Sequence, residues 1–68
     1  MKAKYAEIYV QELGFIAVKE SIEDIADKVE KYNFIALTQT NPKDLKGETP
    51  ITISRDKIIL IKPLELHL

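Results

Sequence analysis

The chain has 68 residues, a formal charge of −1 and no cysteine. Such a length admits one domain, spanning residues 1–68, and a core too small to be robust unless a staple or a second subunit adds to it. The missing thiols exclude disulfides, thiolate catalysis and cysteine-based zinc sites, the lone histidine argues against a histidine-rich metal centre, and the balanced charge argues against strong non-specific nucleic-acid binding.

Residues 4–11, KYAEIYVQ, alternate, with Ala6, Ile8 and Val10 on one face and Tyr5, Glu7, Tyr9 and Gln11 on the other, the pattern of a strand with one face for the core. The start, MKAKYAEIYV, lacks the apolar stretch of a signal peptide, and no apolar run approaches the roughly 20 residues of a membrane span. The expected setting is the cytosol, with no membrane partner. Gly14 offers a positive φ for a short connection, and residues 15–20, FIAVKE, form a second strand, so the two make a hairpin. Ile16 and Val18 join Ile8 and Val10; Phe15 and Ala17 share the outer face with Tyr5 or Tyr9.

Residues 21–32, SIEDIADKVEKY, are the one segment with a helical period, the apolar stripe falling at Ile22, Ile25, Ala26, Val29 and Tyr32. Ser21 is a suitable N-cap, Asp24 a shortened capping-box acid, and Asn33 a stop. Asp24 with Lys28, and Asp27 with Lys31, have the acid-first i, i+4 spacing. The acids Glu23, Asp24, Asp27 and Glu30 read as a solvated helix face rather than a metal patch.

FIALT at 34–38 is a short uncharged strand, QTNPKDLKGE at 39–48 the one long loop, and PITIS at 50–54 a strand led by its proline, where the missing N–H matters least. Residues 54–57 make a tight turn into IILIK at 58–62, which Pro63 ends. Leu64, Leu66 and Leu68 alternate with Glu65 and His67 in the tail, where His67 has no partner. The result is an α+β domain: a small, bent antiparallel sheet with one helix, in the order ββαβββ. Its expected core is Ile8, Val10, Ile16, Val18, Ile22, Ile25, Val29, Ile35, Leu37, Ile53, Ile59 and Ile61. The last two strands are the weak point, because a slip of one residue exchanges their faces.

One helix cannot cover both faces of this sheet. Apolar residues on both faces of FIALT and IILI, with aromatics on the first hairpin, mark Tyr5, Tyr9, Phe15, Phe34, Ile58 and Leu60 as a candidate interface. Tyr5, Tyr9 and Phe15 also have the chemistry of a base-stacking platform, although Glu7 and Glu12 interrupt the basic surround it requires. Lys43, Lys46, Arg55 and Lys57 make residues 43–57 the most basic region, a candidate anion or nucleic-acid contact diluted by Asp44, Glu48 and Asp56. A phosphate loop of the GxxxxGK kind is absent, and no acid–base pair or nucleophile stands out.

FIAVKESIEDIADKVEKY resembles the strand-into-helix half of the small flagellar FlbD-type proteins, with its E-S-x-E-[ED] helix start. FIALTQTNPKDLKGETPITISRDKIILIKPLE resembles their other half, an apolar strand ending in Leu-Thr, a Gly-containing turn, a second strand, an Asp-Ile-type turn and a final strand. The halves are permuted here, and a longer TNPKDLKG loop replaces the compact turn. The resemblance implies a small cytosolic α+β module without a catalytic centre, acting through protein contacts, and carries over no site residues.

The sequence thus leads to a non-catalytic protein-interaction module without cofactor or metal: a small cytosolic regulator or inhibitor that binds a larger protein and forms a homo-oligomer on strand faces or edges, with Leu64, Leu66 and Leu68 contributing. The alternative is a nucleic-acid-binding regulator using Tyr5, Tyr9, Phe15 and the basic 43–57 region; a ligand-sequestering protein comes third.

Overall fold

The computed structural model describes residues 5–64. Two strands, β1 (Ala6–Val10) and β2 (Gly14–Val18), precede the helix α1 (Ile22–Lys31); β3 (Phe34–Thr40), β4 (Thr49–Ser54) and β5 (Ile58–Pro63) follow it. All five strands form one sheet in the order β4-β3-β2-β1-β5, and every paired neighbour is antiparallel. The expected ββαβββ order and α+β class are those of the structure. Leu66, Leu68 and His67 lie outside the described residues.

The hairpin turn needs two left-handed residues, Glu12 (φ 77°) and Gly14 (φ 86°). Glycine adopts that region freely; a glutamate does so at a cost. The Glu12 carboxylate accepts from Lys57 Nζ at 3.3 Å, while Gln11 N–H donates to the Lys57 carbonyl at 2.8 Å. The turn is therefore tied to the start of β5.

The helix begins where Ser21 Oγ accepts from Asp24 N–H at 3.2 Å. It buries a narrower stripe than its sequence suggests: Ile25 is fully buried, Ile22 and Val29 pack at the margin, and Ala26 and Tyr32 are exposed. The Asp27–Lys31 pair forms at 3.1 Å. The expected Asp24–Lys28 pair does not; Lys28 Nζ donates instead to the Ala36 carbonyl at 2.9 Å. At the far end Arg55 Nη1 donates to the Val29 carbonyl at 3.2 Å, and Arg55 N–H to the Asn33 carbonyl at 2.9 Å. The side chain of an arginine from a distant turn thus meets a carbonyl that the helix leaves open, while its backbone N–H extends the β3–β4 ladder.

β2 and β3 pair over a short stretch, Ala17 with Thr40 and Val18 with Gln39, followed by a Lys19 N–H to Thr38 carbonyl bond of 2.9 Å. Where the backbone leaves this ladder for the helix, side chains continue it. Glu20 Oε1 accepts from Thr38 N–H at 2.9 Å, next to the Lys28 bond to Ala36. β4 and β5, the two edges of the sheet, are joined by one turn of 3-10 helix, Arg55–Lys57. So short a link draws the edges together and curls the sheet around the helix, which touches both β3 and β5.

The concave side holds Ala6, Ile8, Val10, Ile16, Val18, Ile25, Ile35, Leu37 and Ile53. Every expected core position in β1 to β4 is there. β5 departs from expectation. Its pairing with β1 shifts between Tyr9 and Val10: Leu60 faces Tyr9, and Ile58, not Ile59, faces Val10. The extra residue resets the alternation. Ile58 and Ile61 pack against the core, while Ile59 is 63% exposed and Leu60 47%. Ile59 therefore leaves the expected core, and Ile58 leaves the expected interface.

Two measurements check this assignment. Ile25→Ala is expected to cost about 2–5 kcal/mol, as for a fully buried aliphatic group, and Ile59→Ala within about 0.5 kcal/mol; denaturant midpoints of the two variants separate them. Glu12→Gly is expected to stabilise by about 0.5–1 kcal/mol by relieving the left-handed glutamate, since the exposed pair it gives up is worth little. A raised melting temperature reports it.

Candidate functional site

On the outer, convex side of the sheet, three of the expected interface residues stand in one row. Phe15 of β2, Tyr9 of β1 and Leu60 of β5 are successive register partners across three strands. The Leu64 N–H donates to the Tyr5 carbonyl at 3.0 Å, so alternation turns the backbone groups of Tyr5, Glu7 and Tyr9 towards β5. Tyr9 and Phe15 are then a non-hydrogen-bonded pair, the kind whose side chains stand closer. Their rings meet edge to face with centroids 4.9 Å apart. Phe15 is 54% exposed and Tyr9 36%. Leu13 in the hairpin turn and Ile59 in the bulge add exposed apolar surface beside the two ends of the row. The expectation placed neither there. A leucine in a tight turn is itself a sequence signal, whereas the bulge at Ile59 leaves none.

The charges around this row are paired. Lys62 Nζ lies 3.2 Å from Glu7 Oε1 and 5.0 Å from the centroid of the Phe15 ring. Lys57 meets Glu12, and Lys19 Nζ meets Glu48 Oε1 at 2.8 Å. The hydrogen bond between Lys19 and Glu48 holds the Glu48 carboxyl below its ordinary value and the Lys19 ammonium above its own, against a smaller opposing effect of desolvation.

The other candidates are dispersed. Tyr5 is half-buried just before β1. Phe34 is exposed at the start of β3 opposite Ser54, close in sequence to exposed Tyr32 at the helix end. Of the basic set, Arg55 serves the helix terminus and Lys57 serves Glu12. Lys43 and Lys46 lie in a loop where their own amides already have acceptors, Lys43 N–H on Asn41 Oδ1 and Lys46 N–H on Asp44 Oδ1, each at 2.9 Å. Where an anion would need the Lys46 amide, the Asp44 carboxylate holds it. A shallow open depression lies among Gln39, Thr40, Asn41, Pro42, Lys46, Gly47 and Thr49. Among the described residues, no three histidine or acidic side chains converge on a metal position, and no helix is long and apolar enough to cross a membrane.

No protein-family model, curated protein or solved structure matches the chain. The FlbD-type resemblance accordingly rests on its quoted motifs alone.

The Lys19–Glu48 pair ties the 41–48 loop to the end of β2. Because the Glu48 value is lowered by folding, its contribution is present above the unfolded carboxylate range and lost as pH falls through the lowered value. Because the Lys19 value is raised, its contribution is present below the ordinary lysine range and lost as pH rises through the raised value. Glu48→Gln is expected to speed amide exchange in residues 41–48 near neutral pH. The difference from the parent chain should vanish once the carboxylate is protonated.

Proposed function

We propose that this chain is a non-catalytic protein-interaction module, a small regulator or inhibitor that acts by laying the outer face of its sheet against another polypeptide. The observation that carries the reading is the row Phe15–Tyr9–Leu60, three large apolar side chains held side by side by strand register on the face away from the helix. Aromatic anchors inside a polar rim are the usual make-up of a protein interface. The side chains carry contact area, and the strands beneath fix their positions before any partner arrives, which lowers the ordering cost of binding.

The nucleic-acid reading has the aromatic pair but lacks the field around it. Lys19, Lys57 and Lys62 each stand against a carboxylate, and Arg55 is engaged at the helix end. Phosphate neutralisation at these four would have to break those contacts, which leaves Lys43 and Lys46 of the basic region to meet it. A cytosolic setting belongs to the proposal.

Photo-crosslinking in the producing cell tests the reading. A photoreactive residue at Tyr9 or Phe15 is expected to give discrete protein adducts, and one at Glu30, on the exposed helix face, is not. Absence of adducts from every outer-face position would overturn the proposal. So would tight binding of short single-stranded RNA or DNA that weakens steeply with salt.

A further inference from the structure

We infer that the polypeptide covering the outer face is a second copy of this chain, docked about a two-fold axis that passes near Tyr9. The inference rests on the reading of that face as an interface and adds the identity of its occupant. Four features of the molecule carry it.

The first is area. Leu13, Phe15, Tyr9, Leu60 and Ile59, between about a third and two thirds exposed, together offer on the order of 500 Å² of surface, given the size of such side chains, at the upper end for an apolar patch. With the flanking Glu7 and Lys62 the face reaches roughly 600 Å², the lower end of the range per partner for a stable interface.

The second is the order of residues along the row. One end is aromatic, Phe15, and the other aliphatic, Leu60 with Ile59 beside it. A two-fold axis at the central Tyr9 sets Phe15 of each copy on Leu60 of the other. The surface is complementary to itself, as an isologous contact requires. The third is charge. Glu7 with Lys62, and Glu12 with Lys57, are paired within the chain, so a second copy meets a rim of balanced sign without like-charge repulsion.

The fourth is what the edges forbid. The Arg55 N–H turns towards β3 and the Leu64 N–H towards β1. By alternation, Pro50 of β4 and Pro63 of β5 occupy positions whose N–H would point away from the sheet. Each open edge carries a proline where an added strand would need a donor. By the same alternation Thr52 of β4 and Ile61 of β5 keep outward donors, so the prolines weaken edge pairing, which the sequence left open, and the face offers the larger apolar contact.

The test uses complementary variants of the whole chain. Phe15→Lys and Leu60→Glu are each expected to weaken self-association by at least about thirty-fold, the scale of an interface anchor. An equimolar mixture should restore a dimer, because the new lysine of one copy then faces the new glutamate of the other while the second Phe15–Leu60 contact stays intact. Sedimentation of each variant and of the mixture reads the result, and circular dichroism checks that both variants fold. A parent chain that remains monomeric throughout a dilution series overturns the inference; crosslinks from Tyr9 to a different protein would then leave the interaction reading standing. A parent dimer that both variants preserve, or that the mixture does not restore, also overturns it, since the contact would lie elsewhere.

Discussion

The three residues between β4 and β5 constrain the whole fold. In a flat five-stranded sheet the outermost strands lie about 19 Å apart, four spacings of about 4.8 Å. From Ser54 to Ile58 the chain reaches at most about 15 Å when fully extended, and a 3-10 turn rises only about 2 Å per residue. Strands that sit at opposite edges of the sheet and are joined in this way leave no flat solution. The sheet must curl until its edges approach. Curling makes one side concave, and ten residues of helix suffice to fill it: α1 touches β3 and β5 on either side, with Ile25 at the centre. The same curl makes the other side convex, and there the 41–48 segment reaches the β2–β3 junction, where Ala17 and Thr40 are buried and Lys19 pairs with Glu48, while the Phe15–Tyr9–Leu60 row stays open.

The single helix, the strand order along the chain and the inward faces of β1 to β4 were legible in the sequence, because each rests on a local period. Ile8, Val10, Ile16, Val18, Ile35, Leu37 and Ile53 fall at alternate positions of their strands, and register leaves one way to bury them together. IILI has no alternation to read. Four consecutive aliphatic residues fit either face, and the bulge opposite Val10 then places Ile58 and Ile61 inward and Ile59 and Leu60 outward. A period of two cannot predict a spacing of three. The row was therefore legible in two of its members, Tyr9 and Phe15, and correct in Leu60, while Ile58 and Ile59 changed places between surface and core.

Charges were the least legible feature, because composition counts them without saying what they face. Arg55 and Lys57 look like members of a basic region, yet both join parts of the fold. Arg55 connects the β4–β5 link to the helix end, and Lys57 connects the start of β5 to the strained hairpin turn. Lys28 has a sequence partner in Asp24 but bonds to a β3 carbonyl that the departing β2 leaves open, and Glu20 completes the donor beside it. These long-range bonds exist because the curl brings remote segments together, which no local pattern records. They also set the character of the outer face: with its cations engaged in pairs or in the scaffold, what remains open there is chiefly apolar.

Guarded edges and an unguarded face have different consequences for assembly. In a sheet whose two edges are both open, pairing at one edge leaves the other to pair in turn, a route to open-ended polymers. A face that meets its own copy about a two-fold axis is used up by the first encounter, and the assembly stops at two. Pro50 and Pro63 remove donors at the two places where growth would continue, whereas Phe15, Tyr9 and Leu60 concentrate apolar area where growth would end. For a chain this short, with no disulfide to staple its small core, closure also adds to stability, because partner binding to the folded form alone raises the free energy of unfolding by mass action. Tyr32 and Phe34, exposed outside the row, remain open to a further partner in such a dimer.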